Sequence, residues 1–162
     1  MPRKRTSLGG RMHRIRGDIW EEAKKGVLVV IPTNIGWRKD GSNVMGAGLA
    51  KQALERIGHL GRWYGMLCKA CREHTPVCVF PDAPIILFPV KKLDAKHPHL
   101  SWKQDADPRL IERSLKQIGS MTLHKPVVIP AVGCGNGNLS AKTIVPVMEQ
   151  LLDDRFTYVE FP

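Results

Sequence analysis

Two short glycine-bearing stretches of this chain have the residue types and spacing needed to hold an anion. Val44-Met45-Gly46-Ala47-Gly48-Leu49 leads from a polar stretch into an amphipathic one, and Gly133-Cys134-Gly135-Asn136-Gly137-Asn138 has three glycines in five residues. Glycine lets backbone N–H groups approach an anion closely, and a helix starting behind the loop adds partial positive charge. The first stretch is not a Walker A loop, because it lacks Gly-Lys-Ser/Thr. It is not a dinucleotide fingerprint either, because the third glycine is missing. Taken singly, the first is a weak signal because G-A-G turns are common, and the second has a structural turn needing positive φ as its other reading. Together, after two apolar strands, they point to a diphosphate clamped between them.

Three further groups of residues could do chemistry. Lys91 ends an apolar stretch, with Lys92 beside it. An amine there becomes a nucleophile only where desolvation or neighbouring cations lower its pKa; by spacing alone the pair reads as two exposed lysines at a strand end. Trp37-Arg38-Lys39, inside Gly36 to Ser42, sets an aromatic ring next to two cations, the combination that stacks on a base and grips phosphates. His97, His99 and Trp102 are candidates for another wall of the same groove, and an ordinary surface loop is the other reading. Finally, Cys68, Cys71, His74 and Cys78 are all metal-capable types. Their spacing is tighter than common zinc patterns, and a helix over Arg62 to Glu73 cannot wrap four ligands around one tetrahedral ion. Free buried thiols are the expectation, with no metal and no cofactor.

The elements that must position these groups follow from hydropathy. Short strands are expected at Met12 to Arg16, Val27 to Ile31, Val77 to Phe80, Ile85 to Phe88, Val127 to Ile129 and Phe156 to Phe161. Val27 to Ile31 is apolar throughout, as for a strand buried on both faces, and Pro32 and Thr33 close it. Helices are expected over Gly48 to Ile57, from Asp107-Pro108 to about Met121, and from a Ser140 cap to about Leu152. Alternating strands and helices predict a three-layer α/β fold with a largely parallel central sheet. In such sheets ligands bind outside the carboxyl ends of the strands, where both glycine loops fall.

Charge adds a partner class. Lys+Arg 25 against Asp+Glu 15 gives a formal net charge of +10, and Arg3, Lys4, Arg5, Arg11, Arg14 and Arg16 come without an intervening acid. Such a field attracts polyanions, above all nucleic acid, unless it serves only as a solvated tail. No apolar run is long enough to span a membrane and none follows the basic start, so the expectation is a cytoplasmic protein with no membrane partner. Residues 1–11 read as a basic arm and 12–162 as one domain, expected to be a monomer.

In order along the chain, Gly17-Asp18-Ile19, Thr33-Asn34, Met45-Gly46-Ala47-Gly48-Leu49-Ala50 and Ile129-Pro130-Ala131-Val132-Gly133-Cys134-Gly135 resemble the motifs of macro domains. The resemblance runs from about Met12 to Phe161. It is nearest to the branch containing terminal ADP-ribose protein glycohydrolase and the antitoxins that reverse DNA ADP-ribosylation; Phe88-Pro89-Val90-Lys91 with Ser101-Trp102 is similar to the antitoxins in particular. The resemblance implies a three-layer α/β/α macro-domain fold with a mixed, largely parallel sheet, and a site for ADP-ribose. Asp18 would bind the adenine amino group, with Ile19 beside the base. Thr33 and Asn34 would lie near a ribose, although a longer polar loop makes Asn43 a competitor for that asparagine role. The Met45 to Leu49 segment would hold one phosphate and the distal ribose, and Gly133, Cys134, Gly135, Asn136, Gly137 and Asn138 the other phosphate. Lys91 would attack the anomeric carbon and release the modified group. The protein glycohydrolase carries an acid in the second glycine loop, whereas here Gly137 occupies that place and no acid follows before Asp153.

The function implied is an ADP-ribosyl glycohydrolase acting on ADP-ribosylated nucleic acid, with Trp37, Arg38, Lys39 and Trp102 touching the nucleic acid. Three alternatives remain: a glycohydrolase for protein carboxylates, an ADP-ribose 1″-phosphate phosphatase, and a non-catalytic reader of ADP-ribose or nucleic acid.

Overall fold

The computed structural model describes residues 10–162. Most of the basic arm expected over residues 1–11 therefore lies outside the described residues. Arg11 bridges to Asp153. Eleven main elements follow: β1 (His13–Arg16), α1 (Ile19–Ala23), β2 (Leu28–Asn34), α2 (Gly48–Arg56), α3 (Leu60–Cys71), β3 (Cys78–Val79), β4 (Ile85–Lys91), α4 (Pro108–Ser120), β5 (Val127–Ile129), α5 (Ala141–Leu151) and β6 (Phe156–Glu160). Short 3-10 turns lie at Arg72–His74 and Pro98–Lys103.

The six strands form one sheet in the order β1-β6-β5-β2-β4-β3. Every neighbouring pair is parallel except β3 with β4, which makes the sheet mixed and largely parallel, as expected. Side-chain alternation along the strands divides the core in two. Val30, Ile86, Phe88, Val127, Ile129 and Phe156 face α4 and α5, where Ile111, Leu115, Ile118, Ile144 and Met148 meet them. Val29, Ile31, Ile85, Leu87 and Val128 face the other way, onto Ile19, Ala53, Leu60, Tyr64 and Cys68 of α1 to α3. Helices thus cover both faces, which gives three layers.

Local signals set the helix starts. Asp18, Asp107 and Ser140 each accept a hydrogen bond from the backbone N–H two residues on, at 2.8, 3.2 and 3.2 Å. These caps satisfy donors that the first turn leaves open. The short helix α1, five residues long, is marked in the sequence only by its Asp18 cap.

β2 departs from the expectation that Pro32 and Thr33 close it: pairing with β4 continues through Pro32 and Thr33 to Asn34. The reason is non-local. β5 pairs with β2 only at Leu28 and Val29, so the distal half of β2 has a neighbour on one side and tolerates proline as an edge does. A register shift after Thr33 then sets Asn34 opposite Lys91. At the other end of the sheet, Phe161 lies beyond β6, and β3 keeps only Cys78 and Val79 of the predicted Val77 to Phe80.

The loop after β2 is seated on α3 by close backbone contact. An added Cβ at Gly65 would collide with the carbonyl oxygen of Gly41 and lie 2.6 Å from the backbone nitrogen of Asn43. Replacing Gly65 with alanine should therefore lower stability by about 1–3 kcal/mol through overpacking, although alanine gains about 1 kcal/mol of helix propensity. Urea unfolding checks this, and an unchanged or raised midpoint would refute the seating.

Candidate functional site

The sheet has a crevice at the carboxyl ends of β2 and β5, because the chain leaves β2 toward α2 on one face and leaves β5 toward α5 on the other. Such a divergence is where open α/β sheets receive ligands. Both glycine stretches border it. Gly48, with φ of +58°, begins α2, and a Cβ there would lie 3.2 Å from Asn136 Nδ2. Positive φ and the nearness of the second loop both favour glycine at this position. The two loops therefore face each other across a narrow gap.

Helix α2 enters the gap without protection. Its N-cap, Ala47, offers no side-chain acceptor, and the first turn contains no acid. Gly46, Ala47 and Gly48 are exposed, so first-turn N–H groups and the positive end of the helix dipole are open to an anion. Across the gap, the backbone bonds Cys134 N–H to Ala131 C=O (3.2 Å), Asn138 N–H to Gly135 C=O (3.2 Å) and Leu139 N–H to Gly133 C=O (3.1 Å) fold the second loop. They leave the N–H groups of exposed Gly135 and Asn136 without a backbone acceptor. Gly137, by contrast, is buried, and a Cβ there would run into the Gly133 carbonyl and Ala106. It shapes the loop from within.

Asn34 and Asn43, rivals for one role in the sequence, interlock. Asn34 Nδ2 donates to Val44 C=O (2.8 Å) and its Oδ1 accepts from Gly36 N–H (3.0 Å). Asn43 Nδ2 reaches Asn34 Oδ1 (3.0 Å), Asn34 C=O (3.1 Å) and Gly36 C=O (2.8 Å). Both are buried, and Asn43 Oδ1 has no partner. Thr33 is turned to the α3 side, where its hydroxyl shares a 2.7 Å hydrogen bond with buried Tyr64. Met45 is buried in the same layer. At the other end, Ile19 is buried, while exposed Asp18 uses Oδ1 for its cap and leaves Oδ2 without a protein partner.

Lys91 is half-buried at the end of β4, and its Nζ donates to Trp102 C=O at 2.7 Å. Burial pushes its pKa below the ordinary lysine value, opposed by the negative charge of Asp105. Lys92, the first residue past β4, pairs with Asp107 at 3.4 Å. Asp105 had no local signal in the sequence. Its Oδ1 accepts from Asn138 Nδ2 at 2.7 Å, so a carboxylate does stand at the second glycine loop, contributed from a segment about thirty residues upstream.

Beside Gly46 and Ala47 opens a cavity of about 880 Å³, with Trp37, Trp102, Leu100 and His99 in its walls and Arg38 and Lys39 also lining it. The structure thus brings together the two candidate tryptophans, although His97 does not line the cavity. The cysteine cluster lies elsewhere, on α3 and β3, and burial raises the thiols of Cys68 and Cys78 to about 12. His74 is exposed and turned toward Glu73 at 3.7 Å. Among the described residues, no group of three or more His, Cys, Asp or Glu could hold a metal ion, and no helix is long and apolar enough to cross a membrane.

The interlocked amides give a test of orientation. Asn43→Ala should cost about 1–3 kcal/mol, since it strands buried carbonyl acceptors. Asn43→Asp should be worse, because it turns a carboxylate oxygen toward three other oxygens. Denaturation midpoints in the reverse order would contradict the assigned bonds.

No protein-family model and no curated protein matches the chain. Solved structures do. The macrodomain of Mycobacterium tuberculosis DarG is 25% identical, with 95% of this chain and 99% of that one covered and a TM-score of 0.64. The macrodomain of Thermus aquaticus DarG is 23% identical, covers 95% and 100% and has a TM-score of 0.67. Thermosipho africanus DarTG in complex with ADP-ribose is 19% identical with a TM-score of 0.69; 94% of this chain is covered, and it spans 43% of the length of that one. The chain has the macro-domain fold and is similar to the macrodomains of DarG.

Proposed function

We propose that the chain binds ADP-ribose in the crevice between its two glycine loops and, through Lys91, removes it from nucleic acid. The observation that carries the reading is the convergence of those loops, with Gly48 facing Asn136 and the bare N-terminus of α2 between them. A diphosphate is the ligand fragment that fits two opposed sets of N–H donors. Similarity to a DarTG structure holding ADP-ribose supports the same ligand.

In this reading the adenine packs on Ile19 and bonds the free oxygen of Asp18. The diphosphate lies between the amides of Gly46 to Leu49 and those of Gly133 to Asn138. The distal ribose comes toward Asn34 and Lys91, which are neighbours in the β2–β4 register. The depressed pKa of Lys91 favours the free amine that nucleophilic attack needs. The modified group, on the far side of the ribose, enters the cavity between Trp37 and Trp102. Its aromatic and cationic walls and the net charge of +10 support a nucleic-acid substrate. The hydrogen bond that occupies Lys91 Nζ favours the second reading, a domain that holds ADP-ribose without cleaving it.

Calorimetry with ADP-ribose, then incubation with ADP-ribosylated oligonucleotide and ADP-ribosylated protein in parallel, tests these readings. Lys91→Ala should abolish release of ADP-ribose while calorimetry still detects binding; full turnover by the variant would remove the nucleophile. Turnover of the oligonucleotide should fall steeply with added salt while binding of free ADP-ribose changes little, because phosphate contacts release counterions. A flat response would turn the reading toward protein carboxylates or ADP-ribose 1″-phosphate. Binding without turnover on any substrate would leave the reader.

A further inference from the structure

Resting on that reading, we propose that Arg72 is a positioning residue for the substrate: its guanidinium sets the plane of the Trp37 ring, and that ring selects a planar departing group in the cavity beside Gly46 and Ala47. Both indoles of the cavity wall carry a cation. Arg72 Cζ stands 5.4 Å from the ring centroid of Trp37, and Lys103 Nζ stands 5.5 Å from that of Trp102. Neither cation lines the cavity itself. Lys103 is the chain neighbour of Trp102, so that contact comes with the sequence. Arg72 reaches Trp37 from a distant stretch, just past the end of α3.

The backbone at Arg72 is strained. Its φ of +52° and ψ of −128° suit glycine and cost a residue that has a Cβ. Neighbours lock the bend in place. Arg72 N–H closes on Cys68 C=O, and Arg72 C=O accepts from the N–H (3.1 Å) and the hydroxyl (2.6 Å) of buried Thr75. From α4, Arg113 donates to the carbonyls of Glu73 (3.0 Å) and Thr75 (3.1 Å). None of these bonds uses the Arg72 side chain, so the bend itself gives no reason for arginine over glycine.

Two attractions hold the guanidinium. One is Glu73 at 3.9 Å, a loose pair open to solvent on both sides, which contributes little. The other is the Trp37 ring, within the reach of a cation–π contact. The same helix also seats the loop that carries Trp37, through the close approach of Gly65 to Gly41 and Asn43. Helix α3 thus fixes both the backbone of the loop and the ring upon it. A ring already restrained loses less freedom when a base stacks on it. An aliphatic departing group has no π face to gain from that plane.

Arg72→Gly removes the cation and relieves the strained φ, so the variant should unfold at an unchanged or higher urea midpoint. Its affinity for free ADP-ribose should stay the same. On the ADP-ribosylated oligonucleotide kcat should change little, while KM should rise about two- to fivefold, the span of one exposed cation–π contact. Arg72→Lys should recover part of that loss. In a Trp37→Leu background, Arg72→Gly should leave KM where Trp37→Leu alone puts it. An unchanged KM in Arg72→Gly overturns the proposal. So does an equal rise in the Trp37→Leu background, which would mean that Arg72 grips the substrate directly. Near-UV circular dichroism of the unliganded protein separates this proposal from the reading beneath it. Arg72→Gly should alter the indole bands only while Trp37 is present, and unaltered bands overturn the proposal whatever the activity. Altered bands in a protein that turns over no oligonucleotide uphold the placement of the ring by Arg72 and remove the enzymatic reading alone.

Discussion

The amide pair of Asn34 and Asn43 fixes the geometry on which the rest of the site depends. Asn34 ends β2 directly opposite Lys91, and its side chain binds the two ends of the following loop, at Gly36 and at Val44. Asn43 closes the same loop onto the strand. Inside a protein such bonds strengthen, and a broken one leaves a buried polar group at a cost of about 1–3 kcal/mol. The loop is therefore a closed unit with two outlets. One presents Trp37, Arg38 and Lys39 to the cavity; the other delivers Gly46 and the open end of α2 to the crevice.

The crevice draws its electrostatics from backbone more than from side chains. The first turn of α2 contains no acid, the second loop leaves the amides of exposed Gly135 and Asn136 without a backbone acceptor, and Gly46, Ala47 and Gly48 bring no charge to the gap. Amide dipoles held by a folded loop need little reorganisation when an anion arrives. Charged side chains stand further out, at Lys91 and Asp105 on one border and Arg38 and Lys39 on another.

Much of this was legible in the sequence because it is encoded locally. Asp107-Pro108 and Ser140 mark helix starts through bonds to residues two positions on, and the run from Val27 to Ile31 reads as a doubly covered strand from hydropathy alone. What the sequence concealed depends on distant partners. β2 passes through Pro32 because β5 stops short, Lys92 is paired with Asp107, and Thr33 is claimed by Tyr64. Asp105 gives no local sign; its carboxylate is held by Asn138, far along the chain. The asparagine choice was undecidable from spacing because both residues take part.

The two borders of the sheet carry a consequence for the protein as a solute. An exposed strand invites pairing by another chain unless it is short, charged or covered. On one side β3 offers just two residues, antiparallel to β4. On the other, β1 reads His-Arg-Ile-Arg, and its two arginines reach Glu149 and Glu160 across 3.1 and 3.6 Å. A second copy approaching either border meets too little backbone to template a ladder, or a short strand dressed with charged side chains. Among the described residues, both borders are thus poor templates for extending the sheet into a second copy.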